Sequence, residues 1–439
     1  MGTCIEAASC AALFFLFFGM ITLLVLYFWL LPLQFALSPT EGIDLPIARA
    51  MAALLIGGWL FGGLFSRSIR IAWDMRTGAF LTFFFLMSLS ISVADETAWA
   101  LRKWLFLASF LPLYFVMVDS FSRRAASGKI VAKYAALGAA LSALVGIVQF
   151  SLQWFVPIDR LFSWWTGSLL PFFLGHSFAA AVAEYPSLLV NLSGVTVMRA
   201  SAFFPDPHMH AFYLGLCLPI SFWFAWQKRE KLWWCATLAI FVADLLTFSR
   251  GAYLGIGVAA LVAWGLFGGQ FSKKIRTAAL FLASFVVVGL LIPNPVAQRF
   301  WSGFSLEDGS VSSRIVLYEE AVHHIAERPW LGVGLGNYPL RVKPTADMRE
   351  PIYVHNLWLD LAVEIGILGA ACFAGFFLLT MHRLYRDWKM TADGFSLALF
   401  GSLLIFFGHS LVEMPMFSVQ VLPVLLLIFA LAHTRYADQ

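Results

Sequence analysis

The sequence predicts an all-α, polytopic membrane protein with about 12 transmembrane helices and two folded outer loops containing short helices. Three observations carry that reading. The 439 residues are 61% hydrophobic and only 12% charged, against about 45–50% and about 25% in a soluble globular chain. Runs such as ALFFLFFGMITLLVLYFWLLPL are apolar on every face, which excludes an outer-membrane barrel, whose strands alternate apolar and polar residues. Lysine and arginine also alternate sharply from loop to loop, the pattern that the positive-inside rule imposes on a multi-span chain.

A spanning helix needs about 20 apolar residues. Runs bounded by charge or proline lie near 11–37, 46–65, 78–94, 101–118, 131–150, 208–226, 232–248, 251–268, 277–292, 356–380, 395–411 and 419–433. The first has no basic residue ahead of it and is longer than a signal-peptide core, so it reads as a span. The chain thus divides into spans one to five (1–150), a first long loop (151–207), spans six to nine (208–292), a second long loop with an amphipathic helix (293–355), and spans ten to twelve with a tail (356–439). Loops bearing Arg67, Arg70 and Arg76; Arg123, Arg124, Lys129 and Lys133; Lys228, Arg229 and Lys231; Lys273, Lys274 and Arg276; and Arg383, Arg386 and Lys389 are assigned to the cytoplasm. Arg435 lies in the tail, so both termini face the cytoplasm. The opposite short loops, SPTEGID, ADET and VEMPMF, are acidic or neutral, and both long loops fall on the outer face. Long ordered loops are usually functional. No repeat of fixed period is visible, which weakens an inverted-repeat transporter reading. The five cysteines are scattered, so neither a disulfide framework nor a zinc site is indicated.

Within the second long loop, SSRIVLYEEAVHHIAERP predicts a helix with Ser312 or Ser313 as N-cap and Pro329 as terminator. At 100° per residue, Val311, Ile315, Tyr318, Ala321, Val322 and Ile325 share one face, and Glu319, Glu320, His323 and Glu327 the other. Arg314 falls on the apolar face, where its guanidinium meets the protein body and calls for a carboxylate or an anionic ligand. In WLGVGLGNY, Gly332, Gly334 and Gly336 read as a tight turn rather than an anion nest. His355 then stands at the outer end of span ten, suited to proton exchange near neutral pH. Asp360 and Glu364, inside that span, lie on the opposite side of a helix extended from His355, which assigns them an interhelical role.

Arg250, in the tight connection LTFSRGAYLG, has little room to snorkel, and Gly251 permits close approach. Arg199 lies in VMRASAFFPDPHMHAFYLG just ahead of span six. His208 and His210 are too close on a helix to share a face, which argues against a two-histidine metal site. Asp244, inside span seven, is expected to pair with one of these arginines or to bond a neighbouring helix. Arginine captures phosphate oxygens in bidentate fashion and neutral histidine accepts a hydroxyl proton. Together they point to transfer of a group from a diphosphate-linked lipid to an acceptor hydroxyl.

SRIVLYEEAVHHIAERPWLGVGLGNY followed by HNLWLDLAVEIGILG resembles the signature of the O-antigen ligase and polymerase family of bacterial membrane glycosyltransferases. LTFSRGAYLG and RASAFFPDP fit in the same order, so the resemblance covers roughly residues 195–411. DPHMHA departs from it, because the family more often has asparagine after the proline. The resemblance implies a twelve-span, GT-C-like architecture in the bacterial inner membrane, a periplasmic active site, no metal or other cofactor and no nucleic acid. It implies a glycan on undecaprenyl diphosphate as donor and lipid A–core or another glycan as acceptor, with inversion at the anomeric carbon. Arg250 and Arg314 would bind the diphosphate with Tyr318 nearby, His355 would be the general base, and Arg199 a further phosphate contact. Asp244, Asn356, Asp360 and Glu364 would support the site. Ligation to lipid A–core is the preferred expectation, polymerisation with a lipid-linked acceptor is the second, and a secondary transporter or lipid flippase coupled through Asp244, Asp360 and Glu364 is the third.

Overall fold

The computed structural model describes residues 19–434 except 41–42, 68, 185–186, 193, 268, 270–272, 274–276, 278–290, 293, 302–308, 348–349 and 351. Residues 278–290 of the expected ninth span, Lys274, Arg276 and Arg435 lie outside the described residues, as does the start of the first span. What is described is mostly helical, and six helical segments among the described residues are long and apolar enough to cross a membrane.

The elements are α1 (Gly19–Leu33), a hairpin of β1 (Ala36–Thr40) and β2 (Ile43–Pro46), α2 (Ile47–Ser66), α3 (Met75–Leu89), α4 (Thr97–Ala108), α5 (Leu113–Arg123) and α6 (Ala125–Leu152). In the first long loop follow α7 (Ile158–Trp164), α8 (Leu170–Leu174), α9 (His176–Glu184) and a second hairpin of β3 (Leu189–Leu192) and β4 (Val195–Met198). Then come α10 (Pro207–Lys228), α11 (Lys231–Leu246), α12 (Arg250–Phe267), α13 (Pro295–Trp301), α14 (Gly309–Glu327), α15 (Tyr338–Val342), α16 (Leu357–Thr391), α17 (Gly394–Ser410) and α18 (Val421–Leu431).

Several starts follow from capping. Asp74 accepts from Thr77 N at 2.9 Å to begin α3. Asp206 accepts from His208 N at 2.6 Å to begin α10, with Pro207 at its first position. Asn356 accepts from Trp358 N and Leu359 N at 3.0 and 3.1 Å to begin α16. Each cap satisfies amides that the helix leaves without partners.

Four details differ from the sequence reading. The chain is not purely α, because two short antiparallel hairpins occupy loops. The expected span at 101–118 lies within one apolar segment, Thr97–Arg123, but its ladder is interrupted between α4 and α5 at the turn that holds Pro112, since proline lacks the amide that would continue it. The amphipathic helix α14 begins at Gly309, so Ser312 and Ser313 are helical rather than capping. On it, Ile315 and Val322 are exposed at 39% and 54%, while Arg314, Leu317, Tyr318, Ala321 and Ile325 face inwards.

The hairpin β1–β2 and the first long loop form one cap. Asp44 accepts from Ser38 Oγ and Phe178 N, both at 2.8 Å. The rings of Phe35, Phe173 and Phe203 stack in succession, with centroids 5.2 and 3.7 Å apart. Beneath it, Gln149 Oε1 accepts from Ser201 N and Ala202 N at 2.9 and 2.8 Å and fixes the RASAFF turn to α6.

The centre of the bundle is α18, every residue of which is buried. It packs against α5, α10 and α6, which explains a run apolar on all sides. Around it, α12 packs on α17, α3 on α16, and α10 on α11 and α17.

Helix α16 is interrupted at Gly366, whose φ of 80° and ψ of 166° are not helical. The WLGVGLG turn fills the break. Val333 N donates to Val363 O at 2.8 Å, Gly334 N to Glu364 O at 3.1 Å, and Ile367 N to Pro329 O at 2.8 Å. Broken backbone inside a bundle is tolerated only where such partners replace the lost ladder. A Cβ on Gly332 would meet Val363 O and one on Gly366 would meet Trp330 O. The glycines therefore serve close backbone approach, as a turn rather than an anion nest.

Gly366→Ala should cost about 1–3 kcal/mol from left-handed strain alone and lower the apparent melting temperature in detergent. Gly375→Ala, whose added Cβ would meet nothing within 4 Å, should leave it unchanged or slightly raised.

Candidate active site

The turn between α17 and α18 carries Glu413, 1% exposed. One of its oxygens, Oε1, accepts from Arg314 Nη2 of α14, and the other, Oε2, lies 3.1 Å from His355 Nδ1. The carboxylate that Arg314 was expected to require is therefore present in the fold. Burial alone would raise the Glu413 carboxyl, but His208, His355 and Arg314 around it hold it well below the usual carboxylate range. An ionised carboxylate only accepts, so Nδ1 of His355 carries the hydrogen and the neutral ring keeps Nε2 as its basic nitrogen.

Several contacts fix His355. Its φ is 56°, a left-handed conformation that histidine enters more readily than most residues. Tyr318 Oη donates to its carbonyl at 3.1 Å, and the Tyr353 ring lies 4.2 Å from the imidazole, centroid to centroid. Asn356, besides capping α16, donates from Nδ2 to Leu411 O at 2.9 Å and ties this corner to the turn that carries Glu413. Because His355 precedes the helix, projecting helical angles from it does not describe its relation to Asp360 and Glu364.

A second set of residues adjoins the first. Arg199 is buried and donates to Thr247 O at 2.6 Å and Ser187 O at 3.0 Å. Its Nη2 lies 3.3 Å from His208 Nε2. Arginine has no acceptor, so Nε2 of His208 accepts, and Nδ1 donates to Ser249 Oγ at 2.8 Å. Ser249 Oγ in turn lies 3.2 Å from His409 Nε2. His208 Nε2 is 3.8 Å from Glu413 Oε1, which joins the two sets. Arg250, the first residue of α12, follows Ser249 directly, and its charge acts against that of Arg199. The neighbouring Gly251 has no room for a Cβ against the His409 ring. His210 turns away to Ser142 Oγ at 2.9 Å and Ala200 O at 3.1 Å, so the two histidines have separate partners.

The structure thus brings His355, Arg314, Tyr318, Asn356, Arg199 and Arg250 around the residues 409–413. Of the three acids it brings in only Asp360, whose charge acts on that of His355. Both carboxylate oxygens of Asp244 are buried without a hydrogen-bond partner, so the expected pairing with an arginine is absent. Asp360 accepts from Val354 N at 3.3 Å. Glu364 forms an interhelical ion pair with Lys103 of α4 at 2.5 Å, as its assigned role requires. Glu413, Ser249 and His409 escape a sequence reading, and His208 is weighed there only as a metal ligand. Glu413 shows there only as one acid in a short loop, and nothing local says that it will be buried against two residues 58 and 99 positions away.

Chemically, the arrangement offers a basic imidazole nitrogen oriented by a buried anion, with three arginines close by. That combination can remove a proton from a hydroxyl and stabilise a polyanionic leaving group.

Comparison with known proteins is consistent with these features. Residues 235–374 match the family described as O-antigen ligase, a stretch that includes Arg250, Arg314 and His355 but neither Arg199 nor Glu413. An O-antigen ligase of Pseudomonas aeruginosa is 26% identical over 139 residues, which is 31% of this chain and 31% of that protein. The similarity therefore spans about a third of the relative's length. Over residues 235–374, the chain is thus similar to the O-antigen ligase family.

Proposed function

We propose that the protein is an O-antigen ligase that moves a glycan from undecaprenyl diphosphate to a hydroxyl of lipid A–core on the periplasmic face of the bacterial inner membrane. The observation that carries this reading is the bond from His355 Nδ1 to buried Glu413, which also holds Arg314. His355 Nε2 takes the acceptor hydroxyl proton as the oxygen attacks the anomeric carbon. The bond from that carbon to the diphosphate oxygen breaks, and undecaprenyl diphosphate leaves with its charge on Arg250 and Arg314. Direct displacement inverts the anomeric configuration. Arg199, whose donors are largely spent on carbonyls, adds positive potential, and Tyr318 and Asn356 orient His355. No metal or cofactor enters the reaction as proposed.

The accompanying architecture is a twelve-span, GT-C-like bundle with both termini in the cytoplasm. Spans one to five occupy 1–150, six to nine 208–292 and ten to twelve 356–439, and the loops 151–207 and 293–355 lie over the site. The alternation of basic loops and the order of the described helices support it.

Transfer from a defined lipid-linked donor to lipid A–core, with a second lipid-linked glycan as competing acceptor, tests the assignment. Lipid A–core should be glycosylated and the rate should survive chelation. If only the lipid-linked glycan is extended, the protein is a polymerase, and proton-driven movement of lipid without transfer would make it a transporter.

His355→Ala, Arg250→Ala and Arg314→Ala should each lower transfer by about 100-fold or more while the protein still inserts and folds. Wild-type rates in His355→Ala would remove the general-base role.

Glu413→Gln should lower transfer by a similar factor, about 100-fold, because Nδ1 loses its anionic partner. The wild-type carboxyl has a depressed value, so its contribution is complete above the ordinary carboxylate value of about 4.3 and is lost only as pH falls through the folded value. Wild-type rates in Glu413→Gln would remove the orienting role of this carboxylate.

A further inference from the structure

Far from the His355 site, α3 and α16 enclose a second polar feature. A cavity of about 210 Å³ lies between Asp74, Met75 and Arg76 at the start of α3 and Leu379, His382, Arg383 and Arg386 of α16. The four α16 residues are spaced i, i+3, i+4 and i+7, so they form one stripe. His355 stands just ahead of α16 and this stripe lies near its other end, which puts the two features at opposite ends of that helix.

The charges around the cavity are unequal. Arg76 pairs with Asp74 at 2.7 Å and also donates to Ala432 O at 3.1 Å. Arg383 donates from Nε to Asp387 at 2.6 Å, which leaves its terminal nitrogens for other acceptors. Arg386 is exposed and makes no ion pair among the described residues. Three arginines and one histidine thus line the cavity, and two carboxylates answer them: Asp74, whose oxygens are taken by Thr77 N and Arg76, and Asp387 on Arg383 outside the lining. The deficit is of negative charge, and guanidinium groups fit phosphate oxygens.

The surroundings are those of a lipid rather than of a soluble anion. Met75 at the rim is 77% exposed, Phe85 further along α3 is 63% exposed, and Leu378 beside the stripe is 60% exposed. Trp73 is 74% exposed next to the cavity, in the manner of aromatic residues at a membrane interface. The volume falls below the about 300–1,000 Å³ of pockets that enclose drug-sized ligands, so it suits a headgroup and not a nucleotide.

We propose that this cavity binds the phosphodiester headgroup of an anionic phospholipid, with its acyl chains lying along the exposed apolar sides of α3 and α16. Arg383 and Arg386 hold the phosphate, and Arg76 closes the inner wall.

The test uses the full-length protein in detergent, stripped of lipid and titrated with phosphatidylglycerol, phosphatidylethanolamine or inorganic phosphate. Bound lipid is counted by native mass spectrometry, and the melting temperature is followed in parallel. Phosphatidylglycerol should be retained and should raise the melting temperature, whereas phosphatidylethanolamine should not. Arg383→Gln with Arg386→Gln should weaken phosphatidylglycerol binding by about tenfold or more, and Arg386→Lys by much less. Should the double variant not fold, Arg386→Gln alone, at an exposed position, gives the same reading. Equal retention of the two lipids, or unchanged binding in the Gln variants, would overturn the site. Displacement of phosphatidylglycerol by inorganic phosphate at equal concentration would overturn the lipid assignment in favour of a free anion.

Discussion

A buried carboxylate has to be surrounded by hydrogen-bond donors and positive charge, because an unpaired charge in a low-dielectric interior is not sustained. At Glu413 that requirement selects the partners. Arg314 comes from a helix of the second long loop and His355 from the residue ahead of α16. Two segments meet the turn ahead of α18 because a single anion satisfies them together. The same anion sets the tautomer of His355, so the requirement that shapes this corner of the fold also decides which ring nitrogen is basic.

The second constraint is backbone. The break in α16 exposes carbonyl groups that the helix no longer satisfies, and the amides of the glycine-rich turn meet them. That turn follows α14, so docking it fixes the end of the helix that carries Arg314. Asn337 extends the tie by accepting from Glu96 N at 2.7 Å, and the Lys103–Glu364 pair fastens α4 to the same place. The acids that a sequence reader finds most conspicuous in span ten thus hold the scaffold, while the acid at the centre of the site lies in a loop.

Much of the helical framework was legible in the sequence because hydropathy and capping act locally. Asp74, Asp206 and Asn356 start helices near where apolar runs begin, and the inward placement of Arg314 followed from periodicity. The turn at Pro112 shows that a local breaker interrupts the helical ladder inside a run that still forms one apolar segment, Thr97–Arg123. The outward tilt of Ile315 and Val322 shows that a helical wheel gives the width of an apolar face, but not which part of it is covered. Glu413, Ser249 and His409 were not legible, since their roles depend on contacts across the bundle. Asp244 was expected to find a cation and instead has none among the described residues, which composition cannot foretell.

The burial of α18 has a consequence for assembly. Its eleven residues rise about 16 Å, roughly half of the hydrocarbon core of a bilayer, and no side of the helix faces outwards. Its seat exists only once α5, α6 and α10 stand side by side. Glu413, carried on the turn ahead of α18, therefore reaches Arg314 and His355 only in a bundle whose central seat has formed. Until then the cations lack the anion that orders them, so a partly assembled chain holds the reactive groups without their arrangement.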